Sequence, residues 1–125
     1  MKTNRPVNMD LTTIRLPITA IASILHRISG IVLFVGTAFL IWALGLSLSS
    51  AQGFEQVSQL ISSVFWFKFI IWGTLAALGY HLVAGVRHLL MDLGLGETKE
   101  SGALGSQISL VVGVLLAILA GVWLW

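Results

Sequence analysis

Residues 28–48 read ISGIVLFVGTAFLIWALGLSL, a run without one charged side chain. At about 1.5 Å of rise per residue, a helix of about 20 mostly apolar residues matches the hydrocarbon thickness of a bilayer. Pro17 sets an N-terminal boundary upstream, so this helix is expected to begin near Thr19 or Ala20 and to cover about residues 20–48. Two further runs have the same character. Residues 65–90 are mostly apolar apart from Lys68 near the start and His81, Arg87 and His88 towards the end, and residues 104–125 are mostly apolar and carry no charged side chain. The expected fold is therefore all-α: an integral membrane protein with three transmembrane helices, forming a single membrane domain over residues 1–125 with residues 1–18 as an N-terminal segment outside the bilayer.

Composition agrees with a lipid solvent. The chain of 125 residues is 57% hydrophobic and only 10% charged, whereas soluble domains carry roughly 25% charged residues. Seven Lys and Arg against five Asp and Glu leave a weak, scattered positive excess, which does not suggest binding to nucleic acid. With no cysteine, there is no thiolate for zinc or an iron–sulfur cluster and no c-type haem attachment, so any metal must be held by His or carboxylate. The first twenty residues lack the short apolar core of a secretory signal and are expected to be retained.

Between the first two spans, SSAQGFEQVSQLISS (residues 49–63) is rich in Ser and Gln and reads as a short exposed loop with one interfacial turn over residues 54–60. Between the last two, MDLGLGETKESG (residues 91–102) is polar and glycine-rich and reads as a loop on the opposite side. Lys2, Arg5, Arg15, Arg27, Arg87 and Lys99 fall on one side of the membrane, and only Lys68 falls near the other. Because Lys and Arg accumulate on the cytoplasmic side, the N-terminus is expected inside and the C-terminus outside. Trp66, Trp72, Trp123 and Trp125 are candidates for interfacial anchors, although Trp72 could equally be lipid-facing bulk.

Polar groups at membrane depth are costly and are candidate functional residues by default. Ser23, His26 and Arg27 lie within about one helical turn on one broad face, so a hydroxyl, an imidazole and a guanidinium converge near the cytoplasmic end of the first span. Such a group can donate to a carbonyl or hold a carboxylate. The alternative is that His26 and Arg27 are ordinary interfacial residues. His81 lies six residues before Arg87, about 9 Å deeper along the axis. A neutral imidazole there needs a partner, and its Nε2 suits haem iron while Nδ1–H takes a carbonyl. Gly85, one turn on, leaves room for a flat macrocycle. The alternative is a packing histidine bonded to another helix. His88, on nearly the same face, suits a contact with a propionate or a proton path, or else is simply solvated. A haem held between His26 and His81 is permitted by the sequence but not favoured.

The segments RPVNMDLTTIRLPITAIASILHRISG (residues 5–30) and HLVAGVRHLLMDLG (residues 81–94) resemble the two signature regions of the cytochrome b membrane-anchor subunits of succinate dehydrogenase (complex II). Their order and spacing and the third span fit as well, so the resemblance covers nearly the whole chain and points to the bacterial, ubiquinone-reducing form. It implies an anchor in the bacterial inner membrane, with its C-terminus in the periplasm, that passes electrons from succinate oxidation to ubiquinone. It implies a haem b shared with a second small anchor subunit that supplies the other axial histidine, and partnership with an iron–sulfur subunit and a flavoprotein subunit. By position, His81 matches the axial ligand and Ser23 and Arg27 match quinone-site residues. His26, Arg27 and His88 match positions near the haem propionates. No catalytic residue is expected in this chain, which has no flavin-binding motif. Two other readings remain: a fumarate reductase anchor using menaquinone, and a small proton-coupled transporter in which His81 and Arg27 form a relay.

Overall fold

The computed structural model describes residues 6, 7 and 9–125, and Lys2 and Arg5 of the charge count lie outside the described residues. Four helices follow one another: α1 (Ile18–Ser49), α2 (Ala51–Ser63), α3 (Phe65–Asp92) and α4 (Lys99–Leu124). Three of them, α1, α3 and α4, are long and apolar enough to cross a membrane. All-α architecture with three spans is thus what the chain forms. Helix α1 starts directly after Pro17, whose extended backbone (φ −66°, ψ 157°) ends the upstream segment and whose missing N–H would be unpaired there in any case.

The structure differs from the sequence expectation at two connections. Residues 51–63 are not a loop with one turn but a complete helix, α2. The Ser50 hydroxyl accepts from the Gly53 N–H at 2.9 Å, which caps the first turn. The Gln59 amide donates to Glu55 at 3.1 Å one turn away. Val57 is buried, so an amphipathic face exists beneath a composition that looks loop-like. Single extended residues, Ser50 and Val64, connect α2 to its neighbours. On the other side, α4 begins at Lys99, ahead of the expected residue 104, because Thr98 accepts from the Ser101 N–H at 3.1 Å and Glu100 occupies the favourable first turn. What remains of the loop closes α3 by a Schellman arrangement. Leu95 N–H reaches the Leu90 carbonyl and Gly94 N–H the Met91 carbonyl, both at 2.9 Å, with Gly94 at φ 82°, a conformation that favours glycine.

Lipid cannot drive helices together by hydrophobicity, so close backbone approach and interhelical hydrogen bonds must do so. The buried residues of α1 are Ala22, Ser29, Gly36 and Ala43, small side chains spaced seven apart. On α3 the same spacing gives Phe67, Thr74, His81 and His88. The two rows meet antiparallel. Ser29 faces His81, a Cβ at Gly36 would overlap the Thr74 side chain, and Phe67 packs on Phe39 and Trp42 beside Ala43.

Helix α4 receives α3 in a different way. Glycines at positions 105, 113 and 121 accept large α3 side chains: a Cβ at Gly105 would lie 3.3 Å from Arg87, one at Gly113 2.6 Å from Tyr80, and one at Gly121 3.3 Å from Trp72. Trp72 is thereby drawn inward, and its indole N–H donates to the Ala117 carbonyl at 2.9 Å. That corrects its assignment as an interfacial anchor or lipid-facing bulk. Trp66, Trp123 and Trp125 stay exposed, and the Lys68 ammonium sits 5.4 Å over the Trp125 ring, a cation–π contact that serves a charge at the span's end.

Ahead of α1, Asp10 organises a turn. Its carboxylate accepts from the Thr12 hydroxyl at 2.6 Å and the Thr12 N–H at 3.0 Å, and these bonds, the hydroxyl first, hold the carboxyl below its ordinary range. A depressed folded pKa means that the turn's stabilisation is complete above the ordinary aspartate range and disappears as pH falls through the lowered value. Hydrogen-exchange protection of the Thr12 amide is accordingly expected to survive acidification past the pH at which a free aspartate protonates; loss at that pH would contradict the turn. For the seam, Gly36→Ala is expected to destabilise the chain by about 1–3 kcal/mol through overpacking, and Thr74→Ala in the same chain to recover much of it, read as thermal denaturation in detergent.

Candidate functional site

The α1–α3 seam brings His26 against two histidines, His81 and His88, that lie more than fifty positions further along the sequence. His26 and His81 stack, with ring centroids 4.1 Å apart and planes 16° from parallel, and His88 leans on His26 at 5.0 Å. His26, on the turn before Ser29, is thus in contact with both α3 histidines. Gly85 does not open towards empty space, as a seat for a macrocycle would require. A Cβ there would meet the His26 Nε2 at 3.5 Å. The His26 imidazole is thus the neighbour of Gly85 at ordinary contact distance.

His81 is held from one side. Its Nδ1 lies 2.9 Å from the Ser29 hydroxyl and 3.1 Å from the His26 carbonyl, while the Ser29 hydroxyl also lies 2.7 Å from that carbonyl. Gly30 permits this approach, since a Cβ there would stand 3.3 Å from the His81 ring. Among the described residues, Nε2 of His81 has no hydrogen-bond partner. His26 Nε2 is buried without a partner, an expensive state for a polar atom unless something else satisfies it.

This geometry bears directly on haem. A haem held by both histidines would need one nitrogen of each aimed at its iron, whereas the His26 and His81 rings face each other with centroids 4.1 Å apart. They cannot sandwich a macrocycle in this arrangement. His81, with Nδ1 occupied and Nε2 uncommitted, is the imidazole of this chain that would be free to bind a metal. Among the described residues no group of three or more His, Cys, Asp or Glu is arranged to hold a bare metal ion. The residues present therefore fit a group that takes one nitrogen from this chain and satisfies a second, orphaned one.

Ser23 is half-buried and Arg27 exposed, and among the described residues neither side chain is hydrogen-bonded. They lie on α1 beside His26 but are not drawn into the imidazole cluster. Arg87 turns the other way, to α4, where its guanidinium donates to the Gly102 carbonyl at 3.2 Å and its buried Nε has no partner.

Two residues of the site were absent from the sequence reading. Tyr80 lies at the junction of all three spans: its hydroxyl donates to the Ala22 carbonyl on α1 at 2.7 Å and its ring covers Gly113 on α4. Ser29 is only 6% exposed. Both were detectable from spacing, Ser29 as one of the seven-residue row of small residues on α1 and Tyr80 as the neighbour of His81. Tyr80→Phe is expected to lower stability by about 0.6–2 kcal/mol, the range for an interhelical hydrogen bond in a membrane protein, with a matching fall in thermal denaturation temperature in detergent.

Residues 1–121 match the family described as succinate dehydrogenase/fumarate reductase transmembrane subunit. The chain is similar to the succinate dehydrogenase cytochrome b556 subunit of Coxiella burnetii, 42% identical with both chains covered in full. It is 39% identical to the cytochrome b556 subunit of Paracoccus denitrificans over 93% of this chain and 88% of that one. A cytochrome b560 subunit from Marchantia polymorpha is 41% identical over 75% of this chain and 72% of that one. With three membrane-spanning helices, a family match over almost its whole length and full-length relatives at this identity, the chain belongs to the succinate dehydrogenase/fumarate reductase transmembrane subunits.

Proposed function

We propose that this chain anchors a succinate:ubiquinone oxidoreductase in the bacterial inner membrane, supplies one axial ligand to a haem b, and forms part of the ubiquinone pocket. As a transmembrane subunit of this family it is the non-catalytic, membrane-embedded part of an enzyme complex. The finer assignments are a flavoprotein subunit that oxidises succinate, an iron–sulfur subunit that relays electrons, and a second small anchor that completes the haem pocket. Residues 1–18 with the α3–α4 connection would face the cytoplasm, and the C-terminus the periplasm, following the distribution of Lys and Arg.

The observation that carries the haem assignment is the His81 imidazole, fixed through Nδ1 and uncommitted at Nε2. A bound haem b supplies one-electron redox chemistry at membrane depth. His81 holds and orients it. Because His26 stacks on His81 instead of opposing it, any further ligand to the haem would come from the partner anchor. His26 and His88, beside His81, are suited to contact the propionates, and the unpartnered His26 Nε2 offers a nitrogen for that purpose. Arg27 can reach the same carboxylates.

Ser23 and Arg27 serve the quinone. A serine hydroxyl would donate to a quinone carbonyl oxygen, and an arginine fork would stabilise negative charge on the quinone as it is reduced. Both lie at the surface of this chain, so the pocket is completed by other subunits. The names of the relatives favour succinate oxidation over fumarate reduction, and identification of the quinone that copurifies separates these directions.

The deciding experiment is a dithionite-reduced minus oxidised spectrum of the detergent-purified complex, wild type beside His81→Ala. A b-type signal diminished in the variant is expected. No signal from an intact wild-type complex would favour a transporter or bare anchor. In parallel, Ser23→Ala and Arg27→Leu are expected to retain haem and to lose roughly 10²-fold or more of quinone reduction, the scale for removing a charge-stabilising donor; loss of haem in these variants with full haem in His81→Ala would reverse the assignments.

A further inference from the structure

We infer that Ser29 is a positioning residue for the haem ligand: together with the His26 carbonyl it holds the proton of His81 on Nδ1 and leaves Nε2 as the ligating nitrogen. This rests on the proposed role of His81. Three polar atoms meet at one point of the seam. The Ser29 Oγ, the His26 carbonyl oxygen and the His81 Nδ1 are 2.7, 2.9 and 3.1 Å apart pairwise. The carbonyl oxygen can only accept, and the hydroxyl has one hydrogen to donate.

If Nδ1 carried no hydrogen, that single hydroxyl hydrogen would have to serve two acceptors, and one pair of oxygen and nitrogen lone pairs would face each other unscreened. With Nδ1 protonated every contact is satisfied. The hydroxyl donates to the carbonyl, and Nδ1–H donates to the hydroxyl oxygen and, at the longer distance, to the carbonyl. The other ring nitrogen must then be the bare one, and a bare imidazole nitrogen is what binds a metal.

The sequence makes this possible through size. Ser29 sits in a row otherwise occupied by Ala and Gly, where only a small side chain permits α1 and α3 to approach. Serine is the residue that keeps the row narrow and still presents an oxygen. Gly30 beside it leaves the ring free to come within reach. An acceptor on Nδ1–H increases the basicity of Nε2 and fixes the ring's rotation. The greater basicity would favour the oxidised iron, so the hydroxyl would lower the haem potential.

The test uses the whole complex, with potentiometric titration of the haem and low-spin electron paramagnetic resonance, in wild type, Ser29→Cys and Ser29→Ala. Cysteine stays close to serine in size with a poorer acceptor, and alanine removes the hydroxyl, leaving only the His26 carbonyl, at the longer 3.1 Å, to accept. The haem potential is expected to rise in the order Ser, Cys, Ala, the low-spin signal to shift in the same order, and haem retention in the alanine variant to weaken by roughly 10-fold. Wild-type potential and signal in both variants, or shifts that ignore acceptor strength, would overturn the inference. Failure of both variants to assemble would assign Ser29 to packing and overturn it as well. The underlying reading fails separately, by absence of haem from the wild-type complex or by its normal retention in His81→Ala.

Discussion

The close approach of α1 to α3 governs this molecule. In water, two apolar helices attract each other by burying surface; in lipid they gain only what contact and hydrogen bonding supply. Ala22, Ser29, Gly36 and Ala43 reduce α1 along one line to almost its bare backbone. The backbone carbonyl of His26 is then within reach of a side chain from α3, which would be impossible across a line of leucines. The imidazole stack, the fixed His81 ring and the positions of the half-buried Ser23 and the exposed Arg27 all follow from where that line runs.

The third span stabilises the pair without entering the site. Its glycines at 105, 113 and 121 recur every eight residues and accept Arg87, Tyr80 and Trp72. Helix α3 is thus held along one side by small residues of α1 facing its medium and polar side chains, and along another by glycines of α4 facing its largest ones. The surface that remains is apolar, from Ile31 and Phe34 on α1 to Leu82 and Leu89 on α3, as a chain surrounded by lipid and other subunits requires.

The three spans were legible because hydropathy depends only on local composition, and a run such as residues 28–48 has no alternative in water. The mutual position of the helices was not legible in that way. Each candidate, Ser23, His26, Arg27, His81 and His88, was found within its own helix, but that His26 stacks on His81 depends on the antiparallel register. Periodicity within one helix does not report register. The signal was present in the matching rows of seven on α1 and α3, which also would have singled out Ser29. Helix α2 was missed because Ser, Gln and Gly suggest a loop, whereas a serine cap and one buried valine were enough to order it. Trp72 was misplaced because the edge of a span is where tryptophan usually meets the headgroups, and its glycine counterpart lies almost fifty residues away.

A repeat of seven also carries an ambiguity. Sliding α1 past α3 by two turns would set small residues against a similar row again, and contact alone would barely distinguish the two alignments. The displaced pairing would separate the His81 Nδ1 from Ser29 and the Tyr80 hydroxyl from Ala22, leaving those groups in lipid without partners. The polar atoms along the seam therefore select one alignment among several that van der Waals packing would accept. The hydrogen-bonding groups of the candidate site thus also set how far the helices slide.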